Sequence, residues 1–516
     1  MGHTEETIER WGHEMASRNT KSAVGFEKEL WDAACALWGH ISTVEYRQII
    51  IGLIFLKYIS AAFDKRYKEL EEEGYGFEND KEAYEEVNVF YVPEKARWEE
   101  IATNAHKPEI GKVIDDAMRA IEDDNLVLKD VLPKNFSKPE LDKSVLGNVV
   151  DLFTNMDMSD TEQSQDLLGR TYEYCIAQFA SKEATDDGAF FTPSSIVKTL
   201  VAVLEPKPNS RIYDPCMGSG GMFVQSEKFI EDHAGNRNSV SVFGQEAKAD
   251  IWKMAKINMA IRGIEANFGP HYADSFTNDL HPTLKADYVL ANPPFNWKGL
   301  KGRLDKDDRR WKYGIPPEKN ANFAWMQHMI YHLAPNGRIG LVLANGALSS
   351  QTGGEGKIRQ AIVEDDLVEG IVALPVQMFY STQIPVSLWF ISKNKKQKNK
   401  TLFIDARNMG YMADRTHRDF SDKDIKKIAD TFEQFREGKY EDVPGFCAVK
   451  TTEEIAKQDF ILTPGRYVGI AEQADDGEPF DEKMKRLTSE LSELFKKSHE
   501  LEDEIRKNWE AIGYDI

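Results

Sequence analysis

Cysteine is scarce in this sequence and never closely paired. Cys35, Cys175, Cys216 and Cys447 are scattered over 516 residues with no CxxC spacing. That excludes a disulfide scaffold and a cysteine-rich zinc site, and fits a reducing compartment. Bulk positive charge is lacking too: 65 Lys and Arg face 86 Asp and Glu, a net charge of −21. Such a chain does not hold a polyanion through its overall field. A nucleic-acid substrate would need a local basic surface or a basic partner. Long hydrophobic runs are absent, since the longest, residues 49–56, falls short of the roughly 18–20 residues that span a bilayer. The opening MGHTEETIERWGHE is too polar and acidic for a secretory leader. The expectation is a cytoplasmic protein without membrane contact.

What is present reads as a folded protein, with 41% hydrophobic and 29% charged residues and length for roughly two to four domains. Residues 1–160 are expected to be helical. Trp31, Ala34, Leu37, Trp38 and Ile41 recur at helical steps. Ser42-Thr43-Val44-Glu45 resembles a capping box that opens the apolar helix IIIGLIFLKYISAAF, with a loop at 74–80 and further helices at 109–123 and 138–153. Residues 161–475 alternate. After a helix at 163–180, strands are predicted at 211–213, 240–244, 287–291, 338–343, 368–373, 386–391 and 402–404. Helices at 222–232, 250–262, 323–333 and 357–364 fit between them. That pattern predicts an α/β fold, a mainly parallel, doubly wound (Rossmann-like) sheet with ligands at the carboxyl ends of its strands. In residues 476–516, Phe480, Met484, Leu487, Leu491, Leu494, Leu501 and Ile505 form a heptad seam broken by Ser498, a coiled-coil-like helix.

Three features carry chemistry. The turn Asp214-Pro215-Cys216-Met217-Gly218-Ser219-Gly220-Gly221 follows a strand and precedes a helix. Its glycines allow a tight turn and close approach of backbone to a ligand. It is not GxGxxG, and no GKS/T marks a P-loop. Glu246 ends the next strand, where a carboxylate can accept from both ribose hydroxyls. Asp274, followed by Ser275 and Phe276, can accept from an adenine amino group. The decisive motif is Asn292-Pro293-Pro294-Phe295 at the end of DYVLA. An exocyclic base amine is a poor nucleophile because its lone pair is delocalised into the ring. The Asn292 amide oxygen and the Pro293 carbonyl can each accept one of its N–H bonds and so localise that pair toward a methyl donor. The prolines stiffen the arrangement, and Phe295 offers a flat face to a base turned out of its helix.

These motifs, with Phe190-Phe191-Thr192-Pro193 ahead of the glycine turn, resemble those of S-adenosylmethionine-dependent N6-adenine DNA methyltransferases. The resemblance extends to the modification (M) subunit of type I restriction-modification systems. LW…EYRQIIIGLIFLKYIS, FFTPSSIV, LAPNGRIGLVLANGALSS, VALPVQMFYSTQIPVSLWFISK and LTPGRYV carry it over nearly the whole chain. It implies a methyltransferase domain that binds S-adenosylmethionine through Phe191, Thr192, Pro193, Asp214, Pro215, Gly218, Ser219, Gly220, Gly221, Glu246, Asp274, Ser275, Phe276 and Asn292. Asn292, Pro293, Pro294 and Phe295 would be catalytic, with no metal. DNA, a specificity (S) subunit, a second copy of M and a restriction (R) subunit are the implied partners.

Cytosine C5 methylation fits poorly, because the one cysteine after a proline, Cys216, lies inside the cofactor turn. Methylation of RNA or of a protein amide is not separated from adenine by local chemistry, and a non-catalytic assembly subunit with a vestigial pocket is a further alternative. Two basic stretches remain. Residues 296–314 (NWKGLKGRLDKDDRRWKYG) hold Trp297 and Trp311 and could contact phosphate, and residues 393–400 read as a solvated hairpin tip.

Overall fold

The computed structural model describes residues 43–87, 89–155, 174–175, 192–234, 240–379, 384–415, 417–470 and 480–511. The chain divides into two compact units, Met1–Gly469 and Ile470–Ile516. The helix expected at Trp31–Ile41, Ser42, Phe190 and Phe191 lie outside the described residues. So does the helix at 163–180, apart from the helical Tyr174 and Cys175.

The N-terminal part is helical, as its periodicity requires. Helix α1 (Thr43–Glu73) is apolar on nearly every side, and Ile50, Leu53, Ile54, Phe55 and Leu56 are fully buried. By length and composition this helix could cross a membrane, contrary to the reading from contiguous runs, but 83% of its apolar window is buried inside the protein. It is the core helix of this region. Helices α2 (Ile110–Asp124) and α3 (Lys143–Thr154) complete the packing. α3 starts later than its sequence pattern suggests, because the Asp142 carboxylate accepts from the Ser144 and Val145 N–H groups and fixes the start there.

Helix α4 (Ser194–Leu204) leads into the first half-sheet, and α5 (Gly221–Ala234) and α6 (Ala249–Ile261) link its strands. The N-terminal core continues onto Ile251, Met254 and Ile257 of α6, and Arg47 of α1 pairs with Asp250. The sheet has nine strands: β1 (Arg211–Asp214), β2 (Ser241–Gly244), β3 (Ala266–Asn267), β4 (Ala286–Ala291), β5 (Leu333–Ala344), β6 (Val368–Ala373), β7 (Val386–Ser392), β8 (Lys400–Asp405) and β11 (Cys447–Thr451). Strands β9 (Tyr411–Met412) and β10 (Arg418–Asp419) pair separately. The order is β11-β8-β6-β7-β5-β4-β1-β2-β3, parallel except where β7 lies antiparallel between β5 and β6 and β11 against β8. The order therefore reverses at β1, whose neighbours are β2 and β4. A crevice opens beyond the carboxyl ends of strands at such a reversal.

Helices α7 (Asn322–His332), α8 (Glu355–Glu364) and α9 (Asp422–Glu437) complete this unit. Residues 393–400 are not a hairpin tip, since β6 lies between the two strands they connect. Lys395 turns inward, 3% exposed, to pair with Asp366 at 2.6 Å, and Lys393 donates to the Leu333 carbonyl. In the second unit, helix α10 (Phe480–Ala511) carries exposed Met484, Leu487, Leu491, Leu494, Leu501 and Ile505 along its heptad positions.

One buried ion pair joins three elements. Arg436 of α9 donates twice to Glu369 of β6, at 2.8 and 3.1 Å, and once to the Val203 carbonyl of α4. Burial pushes the Glu369 carboxyl up, but Arg436, backed by Arg338 and Lys395, outweighs it and holds it below the usual range. Its stabilising contribution is present above the unfolded-state carboxylate value and lost as pH falls through the folded one. Arg436→Met is expected to destabilise by about 3–5 kcal/mol near neutral pH, because it strands a buried carboxylate. Urea denaturation across a pH series checks this: the gap from wild type should narrow at acid pH, where Glu369 protonates in both proteins.

Candidate active site

The crevice is built first by the turn after β1. Asp214 ends the strand almost fully buried, and its carboxylate accepts from the Cys216 N–H at 2.9 Å. Gly218 and Gly220 stand at φ +55° and +82°, a left-handed backbone that most side chains disfavour. The Gly220 N–H donates to the Met217 carbonyl at 2.9 Å, and Gly221 opens α5. Ser219 is held by Asn258 of α6, which donates to its carbonyl at 2.7 Å. The Cys216 thiol is pushed well up by burial and then by Asp214, so it is no thiolate nucleophile.

Beside this turn, Glu246 follows β2. Its carboxylate accepts from the N–H groups of Gly218 (3.2 Å) and Lys248 (2.9 Å), while burial raises its pKa. Gln245, fully buried, clamps the next loop: it donates to the Ala273 and Asn278 carbonyls and accepts from the Leu280 N–H. Within that loop Asp274 accepts from the N–H groups of Phe276 (2.8 Å) and Thr277 (3.1 Å) through one oxygen and pairs with Arg303 at 3.0 Å through the other. The side chains of Ser275 and Phe276 face the protein. Ser275 donates to the Pro215 carbonyl, tying this loop to the glycine turn, and Phe276 packs between Trp297 and Trp325.

The third wall follows β4. Asn292 donates through Nδ2 to the Thr192 hydroxyl at 2.9 Å, and Pro193 stands at the N-terminus of α4. Its Oδ1 is buried and, among the described residues, has no hydrogen-bond partner. Pro293 is buried and Pro294 half-buried, and the Phe295 ring meets Phe379 edge to face at 5.6 Å. Asn296 then takes φ +52° and forms a reciprocal amide pair with buried Asn322 of α7, at 2.9 and 3.1 Å. Sequence reasoning missed this brace, although an asparagine just past a Pro-Pro turn is a cue for a left-handed residue.

It also missed a buried polar network under β1. The Tyr213 hydroxyl lies 3.0 Å from His328 Nε2, Arg310 donates to His328 Nδ1 at 2.9 Å, and His332 pairs with Asp279 at 2.9 Å. Asp279, His328 and His332 are close enough together to hold a cation. A guanidinium against one nitrogen of His328 and a phenol against the other make them a hydrogen-bond network instead.

Thus Thr192, Asp214, Gly218, Glu246, Asp274 and Asn292 come from segments far apart in sequence and line up along β4, β1 and β2. The donor set fits an adenosyl cofactor: a glycine-lined turn, two carboxylates on neighbouring segments and a buried amide oxygen with no partner among the described residues.

Comparison with known proteins agrees. Residues 163–476 match the family N-6 DNA Methylase, and residues 26–153 match the HsdM N-terminal domain. The chain is 50% identical to the type I restriction enzyme HindI methylase subunit of Haemophilus influenzae, over 82% of this chain and 100% of that protein. It is 38% identical to the MjaIX methylase subunit of Methanocaldococcus jannaschii, over 95% and 92%. Among solved structures, the type I restriction-modification system methyltransferase subunit from Streptococcus thermophilus superposes with a TM-score of 0.73 at 25% identity, covering 86% of this chain and 99% of its own.

Burial, with Glu246 nearby, pushes Asp214 up to about 7 against the Cys216 N–H that holds it down. A carboxyl raised on folding keeps a proton that the unfolded chain has released. Its effect is to lower stability as pH rises from the unfolded-state value, about 4, to about 7. Asp214→Asn keeps an oxygen for the Cys216 N–H and is expected to remove that decline. Denaturation midpoints at about pH 5 and about pH 7.5 measure it, and equal slopes in both proteins would contradict the burial argument.

Proposed function

The chain belongs to the N-6 DNA methylase family as a methylase subunit of a type I restriction-modification system, and from that premise we propose that it transfers methyl from S-adenosylmethionine to adenine N6 in DNA. The observation that carries the reading is the buried Oδ1 of Asn292, which has no partner among the described residues. A buried acceptor without a donor costs about 1–3 kcal/mol, and an adenine amino group supplies the missing N–H. Nδ2 of the same amide is taken up by the Thr192 hydroxyl, which leaves Oδ1 as the acceptor.

S-adenosylmethionine would supply an electrophilic methyl group. Glu246 would take the ribose hydroxyls, Asp274 the adenine amino group, and the turn at Gly218–Gly221, with Thr192 and Pro193, the methionine end. Asn292 and the Pro293 carbonyl accept from the target amine and aim its lone pair. Phe295, braced by Phe379, stacks on the target base, and Pro294 stiffens the motif. In this reading the enzyme is cytoplasmic and takes its sequence specificity from an S subunit, in an assembly that holds a second M subunit and can recruit an R subunit. Supporting that partnership is the exposed heptad seam of α10, because leucines in register favour association with another helix.

Asn292→Ala is expected to lower methylation at least about 10²-fold, the loss typical of one preorganised polar contact to the reacting group, with cofactor affinity near wild type. Glu246→Ala should do the reverse, weakening S-adenosylmethionine binding by about 1.5–3 kcal/mol. Calorimetry with a methylation assay separates the two, and near-wild-type turnover in Asn292→Ala would sink the assignment. Deletion of residues 476–516 should leave a folded, cofactor-binding protein that no longer co-purifies with its S subunit or methylates DNA. Full-yield co-purification would show the seam is not the joint.

A further inference from the structure

We infer that Arg310 is a positioning residue for cofactor binding, its guanidinium fixing the backbone of the Asp274–Phe276 loop. The inference rests on the reading above that this loop takes the cofactor's adenine. Arg310 lies in the basic stretch after the Asn-Pro-Pro-Phe motif, yet it is 8% exposed. Nη1 donates to the Ser275 carbonyl and Nη2 to the Phe276 carbonyl, each at 2.7 Å, while Nε donates to Asp308 at 2.7 Å. Nη1 also meets His328 Nδ1 at 2.9 Å.

A guanidinium cannot accept a hydrogen bond, so Nδ1 is the acceptor and the His328 proton sits on Nε2, facing the Tyr213 hydroxyl. Burial keeps this histidine neutral, its pKa well below the usual value. Tyr213 is the residue before Asp214. One buried fork therefore references the adenine loop to the end of β1, where the glycine turn begins.

The loop is gripped from both sides. Asp274 accepts the N–H groups of Phe276 and Thr277, and Arg310 donates to the carbonyls of Ser275 and Phe276. Loss of the fork would free two carbonyls next to the Asp274 turn and let its carboxylate drift from the nucleoside position. Lysine keeps the charge but cannot reach two carbonyls, a carboxylate and an imidazole in one plane.

The test uses the full chain, titrated with S-adenosylmethionine by calorimetry and assayed for DNA methylation with its S subunit. Arg310→Lys is expected to raise the dissociation constant about tenfold or more, while kcat at saturating cofactor stays within about threefold of wild type. That split separates positioning of the cofactor from contact with the target base. Unchanged affinity, or lost kcat with affinity intact, overturns the inference. If Arg310→Lys does not fold, Asp308→Ala loosens the fork by removing the carboxylate that pairs with Nε and Nη2 and should weaken affinity by about threefold or more; no weakening overturns it equally. Wild-type protein that binds no S-adenosylmethionine would instead remove the functional reading itself.

Discussion

The reversal of strand order at β1 is the constraint on which the site depends. Chain leaving β1 runs to β2 and β3 on one side, and the sheet then resumes on the other side with β4 and β5. Segments after β1 and β4 consequently diverge, and neither can cover the ends of the two strands. The glycine turn, Glu246 and Asn292 each directly follow one of the strands β1, β2 and β4. Their convergence is a property of topology before it is one of side chains. The described helices of the N-terminal part pack on α6 through Ile251, Met254 and Ile257.

Around the crevice, polar groups divide into two kinds. Several supporting ones are paired: Gln245 makes three bonds to one loop, Arg310 donates to two carbonyls of the same loop, and Asn296 and Asn322 satisfy each other. The group assigned to the reacting amine is held at one end only. This asymmetry is what preorganisation requires, because a fully satisfied Asn292 would have to break a bond before accepting a new one. The cost of one orphaned acceptor is small beside the apolar burial of a nine-stranded sheet covered on both faces.

Much of this was legible in the sequence. All seven predicted strands are strands, because short β-branched and aromatic runs of three to six residues fit a buried, mainly parallel sheet. Helix α4 was not read as one: SSIVKTLVAVL is rich in β-branched residues, and only packing against β5, α5 and α9 makes it helical. Helix α9 also escaped, although Ser421 and Asp424 form a capping box that marks its start. The inward lysines at 393 and 395 look like any solvated charge run until the crossover beside β6 buries them. Arg310 and His328 carry no local signal, since their partners lie on the 275–276 loop and on β1. Motifs record chemistry that local backbone must perform, whereas support networks depend on contacts that only the fold creates.

The charge problem separates in the same way. A net charge of −21 sets the long-range field, but ions screen that field over roughly 8–10 Å. Inside that range local composition decides. Lys298, Lys301, Lys306 and Arg309 are exposed on the segment between Trp297 and Trp311. That segment is not free to wander: Trp311 donates to the Asp305 carbonyl, Trp297 packs on Phe276, and Arg303 lies over the Trp297 ring while pairing with Asp274. Buried Trp311, half-buried Trp297 and the Arg303 guanidinium thus hold exposed cations on this segment. Under the proposed function, an acidic chain would in this way meet a polyanion at short range while its long-range field discourages indiscriminate binding, and capture of distant DNA would fall to another surface.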